Sequence, residues 1–363
     1  MTKAAVMYNY NEPLKVESVE LRGLRPEEVL VKMAASGVCH SDLSLLQGKI
    51  PMPPPAVLGH EGAAIVEEVG SAVTDLKPGD HVVLSWAADC GKCAYCLKGK
   101  PYLCTMSHQG FMEGTEGTFR KDGIEIFRMT GIATFSERSV VRAASCIKIP
   151  SDIPLDRACL IGCGVMTGVG AAINTARIRP GDTVAVFGCG GVGLNVIQGA
   201  ALCGAEKIIA VDLVDRKLQW AKEFGATDVI NGAQVDAPDA IRGLTDGLGV
   251  DYAFEVIGVQ AAITQAIWSL RRGGAAVIVG VPQVGQDITA PGAMFGLEEK
   301  SLLGCLYGSG NLRRDIPYLL SLYMQKRLKL DELISRRIKL EEINAAFEAM
   351  EKGEVARSVI VYS

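Results

Sequence analysis

Cys90, Cys93, Cys96 and Cys104 stand within fifteen residues in the spacing C-x2-C-x2-C-x7-C. Four thiolates hold a soft dication such as zinc tetrahedrally, and short C-x2-C steps let a tight loop turn its sulfurs toward one ion. All four positions around the ion are then filled. The pattern therefore describes a closed, structural zinc lobe over about residues 88–106 and directs the search for chemistry elsewhere. Disulfides are the rival reading, but a chain that looks intracellular favours metal binding or chemistry for such thiols. A zinc ribbon that grips nucleic acid is a second rival, and the surroundings are not basic.

The chain has 363 residues, room for two domains of ordinary size. Lys plus Arg is 37 and Asp plus Glu is 41, a net charge of −4, so nothing attracts a polyanion in bulk. The N-terminus reads as a strand with a turn and lacks the apolar core of a signal peptide. The most apolar region, Thr183 to Asp212, is broken by many glycines and by Asn195 and Gln198. It reads as a buried strand-helix-strand unit rather than a membrane span. A cytoplasmic protein with no nucleic-acid or membrane partner is expected.

Residues 1 to about 150 are rich in short β-type runs punctuated by Gly and Pro, such as Glu28–Lys32, Ala63–Val69 and Asp80–Leu84. They predict a rolled, mostly antiparallel sheet. From about residue 165 strands and helices alternate, which implies a parallel, doubly wound sheet. The last sixty residues are helical at Ile316–Gln325 and Leu340–Met350 and end on a strand, Ser358–Tyr362, expected to return to the first domain. The fold class is thus α/β. A mostly-β domain spans 1–164 and 308–363, and a doubly wound domain spans 165–307.

Gly188-Cys189-Gly190-Gly191-Val192-Gly193 follows a predicted strand and opens a helix, fitting G-x-G-x-x-G. The first glycine makes the tight turn, the second admits a pyrophosphate, and the third lets the helix pack on the sheet. Asp212 ends the next strand, nineteen residues after Gly193. A carboxylate there accepts from both hydroxyls of the adenosine ribose and repels a 2′-phosphate, which predicts NAD over NADP.

Three further donors are scattered: Cys39 beside His40, Ser41 and Asp42; His60 beside Glu61; and Cys163 between two glycines. Singly, each reads as an ordinary buried residue. Together, two thiolates and an imidazole make a Cys2His zinc site with an open fourth position, the catalytic type.

In this order GVCHSD (37–42), GHEGA (59–63), the four-cysteine lobe, GCGVMTGVGAAINT (162–175), the glycine-rich turn and RSVI (357–360) resemble the zinc-dependent medium-chain alcohol dehydrogenases. The resemblance runs from end to end. It is closest to the long-loop branch of liver-type enzymes and of glutathione- and mycothiol-dependent formaldehyde dehydrogenases. It implies a GroES-like catalytic domain joined to a Rossmann domain, with NAD and two zinc ions per chain. It assigns Cys39, His60 and Cys163 to the catalytic zinc, Asp42 to His60, and Glu61 to a place behind the zinc as an exchanging ligand. Thr167, Val192 and Val281 match residues around the nicotinamide. Lys217 matches a ribose contact, and His40 with Arg357 matches the pyrophosphate contacts. The implied reaction is reversible hydride transfer between a primary alcohol or aldehyde and NAD, with zinc favouring the ionised alcohol and Ser41 starting the proton relay. Trp86 matches a residue that narrows the pocket, with Ile50, Met129, Thr130 and Tyr307 lining the rest. This suits an aromatic or medium-chain alcohol.

Two positions depart from the pattern. Ser44 replaces the histidine that ends the liver-type relay. The arginine that binds a glutathione carboxylate has its nearest counterpart near His108, and no arginine follows that position until Arg120. An S-(hydroxymethyl)thiol dehydrogenase, dependent on mycothiol or glutathione, is the alternative activity. A non-catalytic nucleotide-binding relative is the alternative of another class, and the complete set of ligands opposes it. Pairing through an edge strand near Leu302–Gly308 is implied, giving a homodimer, with a homotetramer as the other assembly.

Overall fold

Eleven residues, Glu28–Val38, form the longest strand of the first unit, and their register organises it. Valine, methionine and alanine fill this run, and burial on both faces suits such near-continuous apolar strands. Along one edge it pairs antiparallel with Glu61–Val69, Gly37 lying opposite Glu61. Along the other it pairs with Arg138–Arg142 and, at its C-terminal end, with Arg357–Val361, Val38 lying opposite Ser358. Cys39, His60 and Arg357 therefore sit within one residue of aligned strand ends. The structure, a computed structural model, describes residues 1–107 and 115–363.

The chain divides into two units, Met1–Gly164 with Asn311–Lys326 and Leu330–Ser363, and Val165–Gly310 with Arg327–Lys329. In the first, Thr2–Met7, Lys15–Leu21, Thr115–Lys121, Ile124–Arg128 and Ala56–Val57 close a barrel beside the sheet built on Glu28–Val38. The pairing is not wholly antiparallel: Ala56–Val57 runs parallel to Ile124–Arg128, and Ile334–Ile338 parallel to Arg357–Val361. Phe119, Ile126, Phe135 and Phe347 centre one apolar core, and Val31, Met33, Val66 and Leu84 another. In the second unit six parallel strands run in the spatial order Asp228–Asn231, Lys207–Asp212, Thr183–Phe187, Val250–Glu255, Leu270–Ile278, Ser301–Gly304. The strand order reverses between Thr183–Phe187 and Val250–Glu255, where open α/β sheets bind ligands at their carboxyl ends. Gln198 ties the short Arg327–Lys329 stretch to this unit: its Oε1 accepts from the Lys329 N–H at 2.7 Å and its Nε2 donates to the Lys329 carbonyl at 3.2 Å.

One element is absent from the sequence expectation. Leu155–Ala176 is helical throughout, 22 residues in which an 18-residue window has mean hydropathy 1.5 and is 78% buried. It alternates α-helical and π-helical turns, and Ile161–Val165, carrying Cys163, is a π turn. Glycines at 162, 164, 168 and 170 lower its helix propensity, and burial all round removes the 3.6-residue polar period by which helices are read. Its length and composition would suit a membrane span, but this helix is core. Gly162 brings it close to the sheet, since a Cβ there would stand 2.6 Å from the Leu84 carbonyl oxygen. Gly162→Ala is expected to cost about 1–3 kcal/mol by overpacking, read as a lower urea midpoint; an unchanged midpoint would refute this packing.

Candidate active site

The helix His40–Leu46 starts directly after Cys39 and carries Asp42 in its first turn. Asp42 is fully buried, and its carboxylate accepts from the Cys39 N–H at 3.0 Å and the Gly59 N–H at 3.1 Å. Its Oδ1 also lies 2.9 Å from His60 Nδ1. That pairing assigns the Nδ1 proton to Asp42 and leaves Nε2 as the nitrogen for a metal.

One donor atom each from Cys39, His60, Glu61 and Cys163 lies within 4.8 Å of all the others, and all four residues are buried. Burial opposes a cation on His60, yet Asp42 and Cys163 outweigh it and hold the ring's pKa well above its ordinary value. A hydrogen bond from Cys163, with Arg357 and His60 nearby, holds the Cys39 thiol well below its ordinary value despite burial. The same bond, then burial, pushes Cys163 well above. A dication bound here would meet one ligand already as a thiolate and displace a proton from the thiol and one from the imidazolium.

Glu61 is pushed up to about 7, by burial first, with Arg357 opposing. Its Oε1 accepts from the Gly164 N–H at 3.2 Å and from Arg357 Nη2 at 3.4 Å. Among the described residues its buried Oε2 has no hydrogen-bond partner. A Cβ on Gly37 would collide with that oxygen, and one on Gly164 would stand 2.7 Å from Arg357 Nη2. Gly37 is thus a shaping residue that no sequence period reveals. Arg357, matched by sequence to a phosphate contact, is itself buried, with Nη2 3.8 Å from Cys39 Sγ. His40 is exposed, Ser44 is half-buried, and half-buried Ser41 places its Oγ 3.9 Å from Cys39 Sγ.

The four-cysteine lobe gathers as its spacing predicts. Sulfur separations are 3.5 Å for Cys93–Cys96 and 3.8 Å for Cys93–Cys104. A tetrahedron with zinc–sulfur bonds of about 2.3 Å has edges of about 3.8 Å. All eleven cysteines are free thiols, so the disulfide reading falls. Backbone N–H groups of Cys96 and Thr105 bring Cys93 down to about 5, while burial and then Cys93 push Cys96 up to about 12.

In the second unit, Gly188 follows Thr183–Phe187 at φ +101°, and the helix Gly191–Leu202 starts after Gly190. A Cβ on Gly193 would strike the Gly188 carbonyl, whereas among the described residues one on Gly190 would meet nothing within 4 Å. The turn is closed where helix meets strand and open where an anion would approach the helix N-terminus. Asp212 holds the turn, accepting from the Cys189 N–H at 2.8 Å and the Val214 N–H at 3.0 Å. Thr167, Val192 and Lys217 are half-buried in their helices, and Val281 is exposed. Ile257 and Leu213, which sequence reading passed over, also expose apolar side chains after strand ends; large exposed apolar groups at a sheet's ligand end are the signal for them.

Residues 25–151 match the alcohol dehydrogenase GroES-like domain, and residues 191–325 match the zinc-binding dehydrogenase domain. The chain is 40% identical over 368 residues to the NDMA-dependent alcohol dehydrogenase of Amycolatopsis methanolica, covering 100% of this chain and 99% of that one. It is 41% identical to the S-(hydroxymethyl)glutathione dehydrogenase of Saccharomyces cerevisiae, covering 98% and 95%. The benzyl alcohol dehydrogenase structure from Acinetobacter calcoaceticus superposes with a TM-score of 0.94 at 35% identity, covering 100% and 99%. The chain belongs to the zinc-binding medium-chain alcohol dehydrogenase family. It is an oxidoreductase with two zinc sites and a nicotinamide-dinucleotide fold.

For this dehydrogenase the residues matched to a substrate pocket are placed differently from one another. Ile50 and Met129 lie in the Phe119–Phe135 core, and Trp86 packs half-buried on the core around Leu84. Thr130 is half-buried with φ +50°, and Tyr307 is buried with φ +53°. Ile50, Met129 and Tyr307 are buried. The position near His108 lies outside the described residues.

Cys93→Ser should shed one zinc per chain and lower the melting temperature. Cys163→Ser should shed the other and abolish turnover with a smaller loss of stability. Metal analysis and calorimetry on both variants check the division, and identical behaviour of the two would contradict it.

Proposed function

We propose that this protein is an NAD-dependent alcohol dehydrogenase of class EC 1.1.1.1, acting reversibly on primary alcohols, aromatic or medium-chain, and their aldehydes. The observation that carries the reading is the buried set Cys39, His60 and Cys163, with Asp42 fixing His60 and the unpartnered Glu61 Oε2 beside it. Three protein donors leave a fourth position for substrate. Zinc held there would supply a Lewis acid for the alcohol oxygen, and the dinucleotide would supply the hydride acceptor.

The chain's own residues do the remainder. Ser41, two residues past a ligand, accepts the alcohol proton through its hydroxyl and passes it outward, where Ser44 or exposed His40 borders the route. Asp42 holds the imidazole in one tautomer. Glu61 is the carboxyl able to exchange onto the metal. Gly188, Gly190, Gly191 and Gly193 admit the pyrophosphate, and Lys217 serves the ribose. Asp212 keeps one lone pair per oxygen beyond its backbone bonds for ribose hydroxyls, and its charge disfavours a 2′-phosphate. Thr167, Val192 and Val281 face the nicotinamide. The yeast relative's activity supports a second reading, oxidation of an S-(hydroxymethyl)thiol. A cytoplasmic homodimer, or a homotetramer, is proposed through the edge strand Ser301–Gly304, whose Leu302 is exposed.

Purified protein should contain two zinc per chain and form NADH from benzyl alcohol or hexanol. Formaldehyde oxidised only with mycothiol or glutathione present would favour the second reading, and one zinc per chain would end the two-site scheme. Asp212→Gly should raise the KM for NAD about 10- to 100-fold, the scale of one lost charged hydrogen bond, and lower that for NADP. An unchanged preference would remove Asp212 from cofactor selection.

A further inference from the structure

Glu255 is a second buried acid, which the reaction above does not use. It ends the strand Val250–Glu255, one of the two central strands where the strand order reverses. Its side chain is fully buried. Oε1 accepts from the Ile257 N–H at 2.9 Å and the Gly258 N–H at 2.7 Å. Its main-chain carbonyl accepts from the Val279 N–H at 2.8 Å and the Gly280 N–H at 3.0 Å. Oε2 has no hydrogen-bond partner among the described residues.

One residue thus clasps the loops that follow two neighbouring strands. The loops are in close contact. A Cβ on Gly280 would collide with the Gly258 nitrogen and stand 2.8 Å from Glu255 Oε2, and one on Gly258 would stand 2.5 Å from the Val281 carbonyl oxygen. The third loop joins them, because a Cβ on Gly188 would stand 2.6 Å from Ile257 Cγ1. Ile257 and Val281 point exposed apolar side chains from this cluster. Burial raises the Glu255 carboxyl above the usual range, although the N–H groups of Gly258, Ile257 and Val259 oppose it. A surface loop has no need of so costly a group, since an unpaired buried carboxyl oxygen forfeits its hydration.

We propose that Glu255 is a positioning residue for the dinucleotide, fixing the 256–258 and 279–281 loops, and with them Ile257 and Val281, against the Gly188 turn. The inference rests on the dinucleotide reading above. It assigns Glu255 no contact with the cofactor and no proton in the reaction.

Calorimetric titration of the zinc-loaded protein with NAD tests it, using Glu255→Leu, Glu255→Gln and Gly280→Ala. The leucine removes both acceptors and keeps the bulk. Glutamine keeps an oxygen for Ile257 and Gly258. Alanine leaves Glu255 intact and wedges the loops apart. The leucine and alanine variants should bind NAD about tenfold more weakly or worse, and glutamine should recover most of the loss. KM for NAD should rise more than kcat falls. Leucine and alanine variants that bind NAD within twofold of the wild type would overturn the proposal. So would a glutamine variant as weak as leucine, which would show that the acceptor is not what matters. Should the leucine variant fail to fold, Gly280→Ala decides alone. A wild type that binds no NAD would refute the dinucleotide reading itself, a result distinct from either.

Discussion

The Asp42 carboxylate holds three things at once: the backbone at Cys39, the backbone at Gly59 and the His60 ring. A charge in so dry a place persists only when its lone pairs are met and an opposite charge stands near. Here two N–H groups and an imidazole meet them. The consequence is geometric. Asp42 belongs to a helix and His60 to the approach of a strand, so one carboxylate fixes the distance between two elements and the orientation of a ligand together. The metal set inherits its shape from that bond rather than from any flexible side chain.

Cys163 reaches the same place by other means. It sits in a π turn, whose wider winding shifts a side chain off the α-helical face, and the glycines beside it allow the approach. Glu61 and Glu255 repeat one device in separate units. Each is a buried acid with one oxygen satisfied by backbone or arginine and the other lodged against a glycine. At Gly37 and Gly280 the missing Cβ is space for a carboxyl oxygen. Such glycines carry function by what they lack.

Legibility in the sequence followed the range of the interaction. The zinc lobe and the Gly188–Gly193 turn are local, so spacing alone describes them. Strand and helix limits in the parallel unit follow from alternation, as at Thr183–Phe187 and Gly191–Leu202. The separated donors Cys39, His60 and Cys163 have no period between them; a family resemblance linked them, and strand register brings Cys39 and His60 together while the π turn at Ile161–Val165 brings Cys163 to them. The Leu155–Ala176 helix hid because glycine and uniform burial erase amphipathic pattern. The contacts of Arg357 with Glu61 and Cys39, the fit of Gly37 and the clasp made by Glu255 depend on tertiary packing and have no local signature.

The pairing of Val38 with Ser358 has a further meaning for how the molecule is made. Arg357 stands 318 residues beyond Cys39, yet its guanidinium is part of the surroundings of that thiol. The parallel unit is encoded whole between them. During synthesis it can emerge and fold as a body of its own while the first sheet waits with one edge open. For that interval the strand end beside the thiols lacks its last neighbour, and an open edge invites foreign strands.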